Sequence, residues 1–285
     1  MNSFLKWAGG KSQLLEQFEF LFPQELKQGK ILNYVEPFVG AGAVFFHVAQ
    51  KYQIQKACLI DVNKDLILTY QEIRDRIEEL IEKLRLLRDQ YLSKSLPERE
   101  QFFYEVRKQY NEGTVSSLRA AQVIFLNKTC YNGLFRVNKK GLFNAPFGQY
   151  QNPAIFDEMN LRQIAQLLKG VTLLCDDFES CEQFVDDRTF VYLDPPYRPL
   201  SKTSSFTSYS GTFGDAEQIR LAKFFERISR EKEANLMLSN SDPTDHFFDD
   251  LYRGFLITRV KANRAINSKA SGRGQITELV VRNYG

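Results

Sequence analysis

The chain has 285 residues, of which 43% are hydrophobic and 26% are charged, and its formal net charge is +3. This composition is ordinary for a globular protein with a sizeable core, and the length allows one large domain or two smaller ones. No apolar run approaches the roughly 18 residues that cross a membrane, and residues 1–7 lack a signal-peptide stretch, so we expect a cytoplasmic protein.

Cysteine and histidine usage predicts no metal site. The four cysteines are scattered along the chain, and there are only two histidines. Structural zinc sites need four Cys or His ligands at characteristic spacings. Free thiols in a reducing compartment fit this pattern better than disulfides do.

Positive charge is concentrated near the end of the sequence. Residues 251–285 contain seven Lys or Arg residues and one acid, which gives this segment a charge of +6 and leaves −3 for the remainder. A basic stripe on a near-neutral body favours a polyanionic partner. A merely solvated face is the alternative interpretation.

The first predicted elements form an α/β unit. A strand at 31–35 leads into the turn Gly40-Ala41-Gly42, a helix covers 43–51, and a second strand at 57–60 ends at Asp61. Strand, glycine turn, helix, strand and acid in this order are typical of nucleotide-binding α/β proteins.

Helices and a hairpin follow this unit. The patterns predict helices at 65–88, 98–110 and 116–126, a break at Leu96-Pro97, a cap at Thr114 or Ser116, and a hairpin turn at 138–141. The α/β alternation then returns, with helices at 157–168 and 215–232 and strands at 171–174, 190–193, 236–238, 255–260 and 278–281. We therefore predict an α/β core from residues 1–61 and 156–285, interrupted by an inserted domain at 62–155.

The tetrapeptide Asp194-Pro195-Pro196-Tyr197 directly follows the apolar strand at 190–193. The strand ends on a carboxylate, and the two prolines prevent its continuation as sheet or helix. Ligands of open α/β sheets bind at the carboxyl ends of strands. An acceptor and an aromatic ring at this place suit a planar substrate that carries an N–H group, although such turns also occur without function.

The glycine turn predicts a ligand that contains a ribose. Gly40 and Gly42 let the backbone approach a ligand closely, and Asp61 stands where acids accept hydrogen bonds from ribose hydroxyls. The turn lacks the basic side chains of a phosphate loop. S-adenosylmethionine therefore fits better than a dinucleotide.

Two further segments are candidates for the same ligand. Trp7 and Lys11 flank two glycines, and the lysine could pair with a carboxylate. Asp177 and Phe178 follow a predicted strand and could flank an adenine. A flexible tail is the alternative for the first segment, and a helix cap with a core aromatic is the alternative for the second.

Together these motifs resemble the Dam-type (alpha-group) DNA adenine-N6 methyltransferases, over nearly the whole chain. Five motifs in order carry the resemblance, and Ala145 replaces the family's more frequent Val, a mild departure. The motifs are Lys6-Trp7-Ala8-Gly9-Gly10-Lys11, Pro37-Phe38-Val39-Gly40-Ala41-Gly42, Tyr131-Asn132-Gly133-Leu134, Phe143-Asn144-Ala145-Pro146-Phe147-Gly148 and Asp194-Pro195-Pro196-Tyr197.

The resemblance implies a Rossmann-like, S-adenosylmethionine-dependent methyltransferase core with an inserted target-recognition domain. The implied catalytic residues are Asp194, Pro195, Pro196 and Tyr197. The implied cofactor residues are Trp7, Lys11, Phe38, Gly40, Gly42, Asp61, Asp177, Phe178 and Asp194. The implied DNA-reading residues are Tyr131, Asn132, Leu134, Arg136 and Pro146, and the basic character of residues 261–273 adds Arg264, Lys269 and Arg273 as phosphate contacts.

The chemistry of adenine agrees with these roles. The N6 lone pair is delocalised into the ring, so hydrogen bonds from N6–H to the Asp194 carboxylate and the Pro195 carbonyl would draw the nitrogen toward tetrahedral geometry. Tyr197 would stack on a base flipped out of the duplex. No metal is required. Residues 198–213 would cover this base, unless they are an ordinary polar loop.

The recognition residues, the substrate and the target sequence each have more than one interpretation. Arg136 is the candidate for a guanine contact, because Arg pairs bidentately with O6 and N7, and Tyr131 is a candidate to fill the gap in the duplex. Cytosine N4, RNA or a glutamine side chain are alternative substrates, and a DNA-binding regulator without catalysis is a different class of protein. We expect a monomer that modifies double-stranded DNA, with GATC as the family's commonest target and CATG or a longer site as alternatives. A partner of a separately acting restriction endonuclease and a solitary enzyme both stay open.

Overall fold

The computed structural model describes residues 2–7, 9–113, 115–198, 213–243, 245–263 and 275–285. The α-helices in this part of the chain are α1 (Leu15–Leu21), α2 (Gln24–Lys27), α3 (Ala43–Lys51), α4 (Lys64–Asp75), α5 (Ile77–Leu92), α6 (Leu96–Glu112), α7 (Ser116–Thr129), α8 (Glu158–Leu167), α9 (Asp215–Lys232) and α10 (Phe247–Leu251). The strands are β1 (Asn33–Glu36), β2 (Lys56–Ile60), β3 (Thr172–Leu174), β4 (Thr189–Leu193), β5 (Asn235–Ser241), β6 (Leu256–Asn263) and β7 (Gln275–Arg282). Short 3-10 helices cover Lys11–Gln13, Tyr131–Gly133 and Phe178–Phe184.

The chain divides into two compact units. The first comprises Met1–Gly10, Gly40–Phe46 and Asp61–Cys175, and the second comprises Lys11–Val39, His47–Ile60 and Asp176–Gly285. The domain boundaries expected from the sequence, at 61/62 and 155/156, stay a prediction.

The first unit is built around α7. This helix has a run of fully buried residues from Ala120 to Asn127, and α4, α5 and α6 pack against it. A helix that is apolar on most of its circumference belongs inside a bundle. Its last turn leads into a hairpin of residues 130–147, in which Cys130 pairs with Phe147 and Val137 pairs with Phe143.

The single helix expected at 65–88 is instead two helices. Arg76 has φ −139° and ψ 45°, so it ends α4 and caps the start of α5. The amphipathic pattern continues across the kink without Gly or Pro, which is why the sequence does not reveal it.

The expected break at Leu96-Pro97 is also displaced. Both residues lie inside the first turn of α6, and Ser95 forms a capping box with Glu98. Proline is tolerated in a first turn because its missing N–H has no helical partner there. At the next helix Val115, and not Ser116, occupies the cap position, while Thr114 lies outside the described residues.

The second unit contains the main sheet. Its strands lie in the order β2-β1-β4-β5-β7-β6, with the first four parallel and β7 antiparallel to both neighbours. Every residue of β4 is buried, as expected for a strand covered on both faces. β1 lies between β2 and β4, so chain order reverses there, and ligands of such sheets bind at that point. The predicted Rossmann-like α/β core is confirmed.

Three further findings concern cysteines, membrane-spanning helices and metal ligands. The four cysteines are free thiols. No described helix has the length and apolar character needed to cross a membrane. Within the described ranges, no group of three or more His, Cys, Asp or Glu residues could hold a metal ion.

Candidate active site

Asp194 follows the last residue of β4 and lies among buried polar groups of the second unit. Its Oδ1 accepts hydrogen bonds from Lys11 Nζ at 2.7 Å and from Ser239 Oγ at 3.2 Å. Ser239 in turn shares a 2.7 Å hydrogen bond with the hydroxyl of Tyr192. In the described part of the chain both bonds to Asp194 go to Oδ1, so Oδ2 keeps its acceptor capacity.

Lys11 is the cation of this cluster. Its side chain is only 3% exposed, and Nζ also lies 3.1 Å from Tyr197 Oη and 3.7 Å from Glu278 Oε2. Burial lowers the pKa of Lys11, but Asp194, Tyr197 and Glu278 outweigh burial and hold that pKa above its ordinary value. Lys11 is therefore charged at neutral pH.

The charge of Asp194 is set by opposing effects. Burial raises its pKa to about 6, Lys11 acts against this, and Glu278 adds to it. The carboxyl group is thus ionised at neutral pH and gains a proton just below. Sequence reasoning found Asp194 and Lys11, and the structure brings them into direct contact.

Tyr197 is anchored at its far end. Its hydroxyl donates to Glu278 Oε1 at 2.6 Å, and Lys11 Nζ lies 4.9 Å from the ring centroid. Sequence reasoning missed Glu278. A usable signal was present, because Glu278 is the single acid of the basic segment 251–285 and stands beside an apolar run.

The second proline, Pro196, is held by a buried amide. Gln218 Nε2 donates to the Pro196 carbonyl at 3.0 Å, and Asn240 Nδ2 donates to Gln218 Oε1 at 3.1 Å. Both amide side chains are fully buried. No described group donates to the Pro195 carbonyl, so this oxygen and Asp194 Oδ2 are two acceptors at the end of β4.

The glycine turn belongs to the first unit and is closely packed. Gly40 and Gly42 have φ of +48° and +67°, in the region that favours glycine. A Cβ on Gly40 would lie 3.0 Å from Trp7 Cδ1, and a Cβ on Gly42 would lie 2.5 Å from Tyr70 Oη. The Tyr70 hydroxyl donates to the Gly40 carbonyl at 3.0 Å. The backbone conformation of this turn therefore depends on both glycines.

Asp61 supports the same turn. Its Oδ2 accepts from the Gly40 N–H at 3.1 Å, and its Oδ1 accepts from the Asn63 N–H at 2.9 Å. Burial raises the pKa of Asp61 to about 6, and the two amide bonds oppose this. A carboxylate has about four acceptor sites, so roughly two remain for a ligand.

Trp7 and Phe135 stack with a centroid distance of 5.7 Å, in the first unit. Trp7 therefore packs against the hairpin as well as against Gly40. Asn127 reinforces this arrangement, because it bonds both the N–H and the carbonyl of Lys6 at 2.8 Å and the Gly133 carbonyl at 2.9 Å. Asn127 was missed by sequence reasoning.

The aromatic residues proposed near an adenine form a separate cluster in the second unit. Phe38 stacks on Phe178 at 5.4 Å, and Phe178 is only 2% exposed. Arg220 covers Phe178 at 4.1 Å and bonds both carboxylate oxygens of Asp177. Phe178 is thus a core residue, and Asp177 forms an ion pair.

The hairpin has the predicted turn at residues 138–141. Asn138 and Gly141 close it, and Val137 pairs with Phe143. The candidates Tyr131, Asn132 and Pro146 are exposed, Leu134 is half-buried, and Arg136 donates to Asn144 Oδ1 at 2.8 Å and to the Asn144 carbonyl at 3.0 Å. Two donor groups of Arg136 are therefore engaged in hydrogen bonds within the hairpin.

Part of the C-terminal positive charge is neutralised. Arg253 pairs with Asp250, and Arg259 pairs with Asp242 and Asp249. The predicted phosphate contacts Arg264, Lys269 and Arg273 lie outside the described residues, as does most of the predicted cover at 198–213. Arg198, which follows Tyr197, pairs with Asp215 and Asp245.

Comparisons of the sequence with a family model and with known proteins point to one family. A model of the D12 class N6 adenine-specific DNA methyltransferases matches residues 7–266. The Type II methyltransferase M.MjaIII of Methanocaldococcus jannaschii is 52% identical, over 100% of this chain and 99% of that protein. The Type II methyltransferase M1.LlaDCHI of Lactococcus lactis subsp. cremoris is 37% identical, over 100% and 96%. The DNA adenine methylase of Vibrio cholerae serotype O1 is 34% identical, over 98% and 95%.

Such agreement over nearly the full length shows the family, which generally uses S-adenosylmethionine. The chain belongs to the D12 class of N6 adenine-specific DNA methyltransferases.

Proposed function

We propose that this enzyme transfers a methyl group from S-adenosylmethionine to N6 of an adenine flipped out of duplex DNA, within GATC. The observation that carries the proposal is the pair of acceptors at the end of β4. Asp194 Oδ2 and the Pro195 carbonyl receive no hydrogen bond from the described residues, whereas Asp194 Oδ1 receives two.

These acceptors suit the two protons of an exocyclic amine. Hydrogen bonds from N6–H to Asp194 Oδ2 and to the Pro195 carbonyl oppose delocalisation of the lone pair into the ring and expose it for attack. Lys11 keeps Asp194 ionised at neutral pH, which the acceptor role requires. Tyr197 stacks on the base, and such stacking contributes about 1–3 kcal/mol.

The glycine-turn residues suit the methyl donor. Gly40 and Gly42 present backbone without a Cβ, and Asp61 has acceptor sites left for ribose hydroxyls. When bound, S-adenosylmethionine supplies an electrophilic methyl group on its sulfonium. Trp7, Lys11, Phe38, Asp177 and Phe178 stay proposed cofactor residues by resemblance. Phe178 would act through its position in the core, since its side chain is nearly inaccessible.

DNA recognition is assigned to the hairpin. Tyr131, Asn132 and Pro146 are exposed there, as residues that meet a duplex must be. If Arg136 reads a guanine, its guanidinium leaves Asn144 or uses its remaining nitrogen. GATC is proposed because it is the target that the resemblance to the Dam-type enzymes most often implies.

The test uses purified protein with labelled S-adenosylmethionine and duplexes that contain GATC, CATG or neither, followed by digestion to nucleosides. We expect labelled N6-methyladenine from the GATC duplex. Label in N4-methylcytosine, or no label in any duplex, would refute the proposal, and label only in the CATG duplex would refute the GATC assignment. A 2-aminopurine at the target position should brighten on binding if the base is flipped.

A variant tests the role of Asp194 directly. Asp194→Ala should keep DNA and cofactor binding and lose most methyl transfer. Near-normal turnover would remove Asp194 from the mechanism.

We further propose that the enzyme acts as a monomer beside a separate restriction endonuclease, since relatives are named Type II methyltransferases. Size-exclusion chromatography with light scattering tests the first part. The second part predicts a nuclease from the same cells that cuts DNA lacking the modification and spares modified DNA.

A further inference from the structure

Glu278 is a carboxylate within the apolar part of β7. Its side chain is 8% exposed, and the next three residues of the strand are buried. Oε1 accepts the Tyr197 hydroxyl at 2.6 Å, and Oε2 lies 3.7 Å from Lys11 Nζ. Buried acids are rare unless they are paired, and this one pairs only with groups of the proposed active site in the described part of the chain.

We infer that Glu278 is a positioning residue for methyl transfer, which holds the Tyr197 ring through its hydroxyl and shares Lys11 with Asp194. The inference rests on the proposed function, because Tyr197 is assigned there to the target base.

The anchor works through geometry. A tyrosine ring is attached to the backbone at one end, and here its hydroxyl is also bonded to Glu278 and Lys11. Glu278 lies on the sheet itself, opposite Ser241 of β5, and β5 pairs with β4, which leads into the tetrapeptide. A ring fixed at both ends by a rigid sheet is already oriented when the base arrives, which lowers the cost of orienting it.

The charge of Glu278 acts on Asp194 as well. Two acids share one lysine, so the negative charge of Glu278 makes a second negative charge on Asp194 less favourable. Among the described residues, the titratable groups that act on Asp194 are Lys11, Tyr34, Tyr192, Tyr197 and Glu278. Removal of the Glu278 charge alone should therefore ease ionisation of Asp194.

Single-turnover methyl transfer on a preformed enzyme–DNA complex tests the inference with two variants. Glu278→Ala loses the anchor and should lower the rate about 10- to 100-fold, the range for a lost hydrogen bond to a charged group, with little change in DNA affinity. Glu278→Gln keeps an acceptor for Tyr197 and should stay within about fivefold of wild type. The acid limb of the pH–rate profile, where the rate falls as Asp194 gains a proton, should lie at lower pH in Glu278→Gln than in wild type. Glu231→Gln, which alters an exposed pair with Arg230, is the matched control.

A double-mutant cycle separates positioning from a general structural role. In a Tyr197→Phe background the hydroxyl is gone, so Glu278→Ala should lose most of its effect. Equal effects in both backgrounds, or a wild-type rate for Glu278→Ala, would overturn the inference. If Glu278→Ala does not fold, an unmoved acid limb in Glu278→Gln would overturn it. A wild-type enzyme that leaves adenine unmodified contradicts the proposed function instead.

Discussion

A methyl group added at Gly42 should destabilise the fold. A Cβ there would lie 2.5 Å from Tyr70 Oη and 3.0 Å from Phe46 Cε2, at a φ of +67°. A side chain in this left-handed region costs about 1–2 kcal/mol. Overpacking of a closed site costs about 1–3 kcal/mol more. We therefore expect Gly42→Ala to lower the free energy of unfolding by about 2–5 kcal/mol.

Gly29 provides a matched control. Its φ is +71°, but nothing lies within 4 Å of the position that a Cβ would occupy. Gly29→Ala therefore introduces the same backbone strain without a steric clash, and it should lower the free energy of unfolding by only about 1–2 kcal/mol. Urea unfolding of both variants in one buffer gives the two values, and their difference isolates the collision.

Tyr70 allows a second control. Tyr70→Phe removes the oxygen that a Cβ would strike, together with its 3.0 Å hydrogen bond to the Gly40 carbonyl. Gly42→Ala should lower the free energy of unfolding less in the Tyr70→Phe background than in the wild-type protein. Equal costs in both backgrounds, or equal costs of Gly42→Ala and Gly29→Ala, would refute the steric argument. Calorimetry should also show weaker S-adenosylmethionine binding for Gly42→Ala than for Gly29→Ala.

Three further predictions concern the charge of the candidate active site and the packing of the hairpin. The single-turnover rate of the wild type should fall as pH drops through about 6, because burial raises the pKa of Asp194 to that value and a protonated carboxyl cannot accept through both oxygens. Lys11→Met should move this acid limb to higher pH, since Lys11 holds the pKa of Asp194 down. Asn127→Ala should lower the free energy of unfolding by about 1–3 kcal/mol, because it removes three hydrogen bonds to the backbone of Lys6 and Gly133, and it should weaken DNA binding in fluorescence anisotropy at fixed salt.

Each of these has a contradicting result. The single-turnover rate could instead stay constant from about pH 5 to about pH 8, a range that covers both protonation states of Asp194. That result would show that methyl transfer does not require an ionised Asp194. An acid limb that Lys11→Met leaves in place would separate Lys11 from the charge of Asp194. Wild-type DNA affinity in Asn127→Ala would show that the hairpin keeps its conformation without this side chain.

Local signals predicted much of the fold. The helices Ala43–Lys51 and Asp215–Lys232 have the predicted bounds. Strand-ending acids such as Asp61 and Asp194 stand out, because a carboxylate after an apolar run is unusual. The kink at Arg76 and the short helices α1, α2 and α10 carry no comparable periodicity, so they were not predicted.

The partners of the site residues were harder to predict. Glu278 lies 81 residues from Tyr197, and Ser239 lies 45 residues from Asp194. These pairs meet because β5 and β7 lie beside β4 in the sheet, and the order of strands is a property of the whole fold. A hydrophobic pattern within a short stretch of sequence does not reveal this strand order.

The hydrogen bonds of Asn127 bear on how enzymes of this type can be re-engineered. The Asn127 side chain connects the segment around Lys6 to the hairpin at Gly133, and Trp7 fills the space between Gly40 and Phe135. A hairpin transplanted from a relative with another target would meet an N-terminal segment shaped for a different neighbour. Chimeras should therefore exchange the N-terminal segment and the hairpin together, as a single cassette.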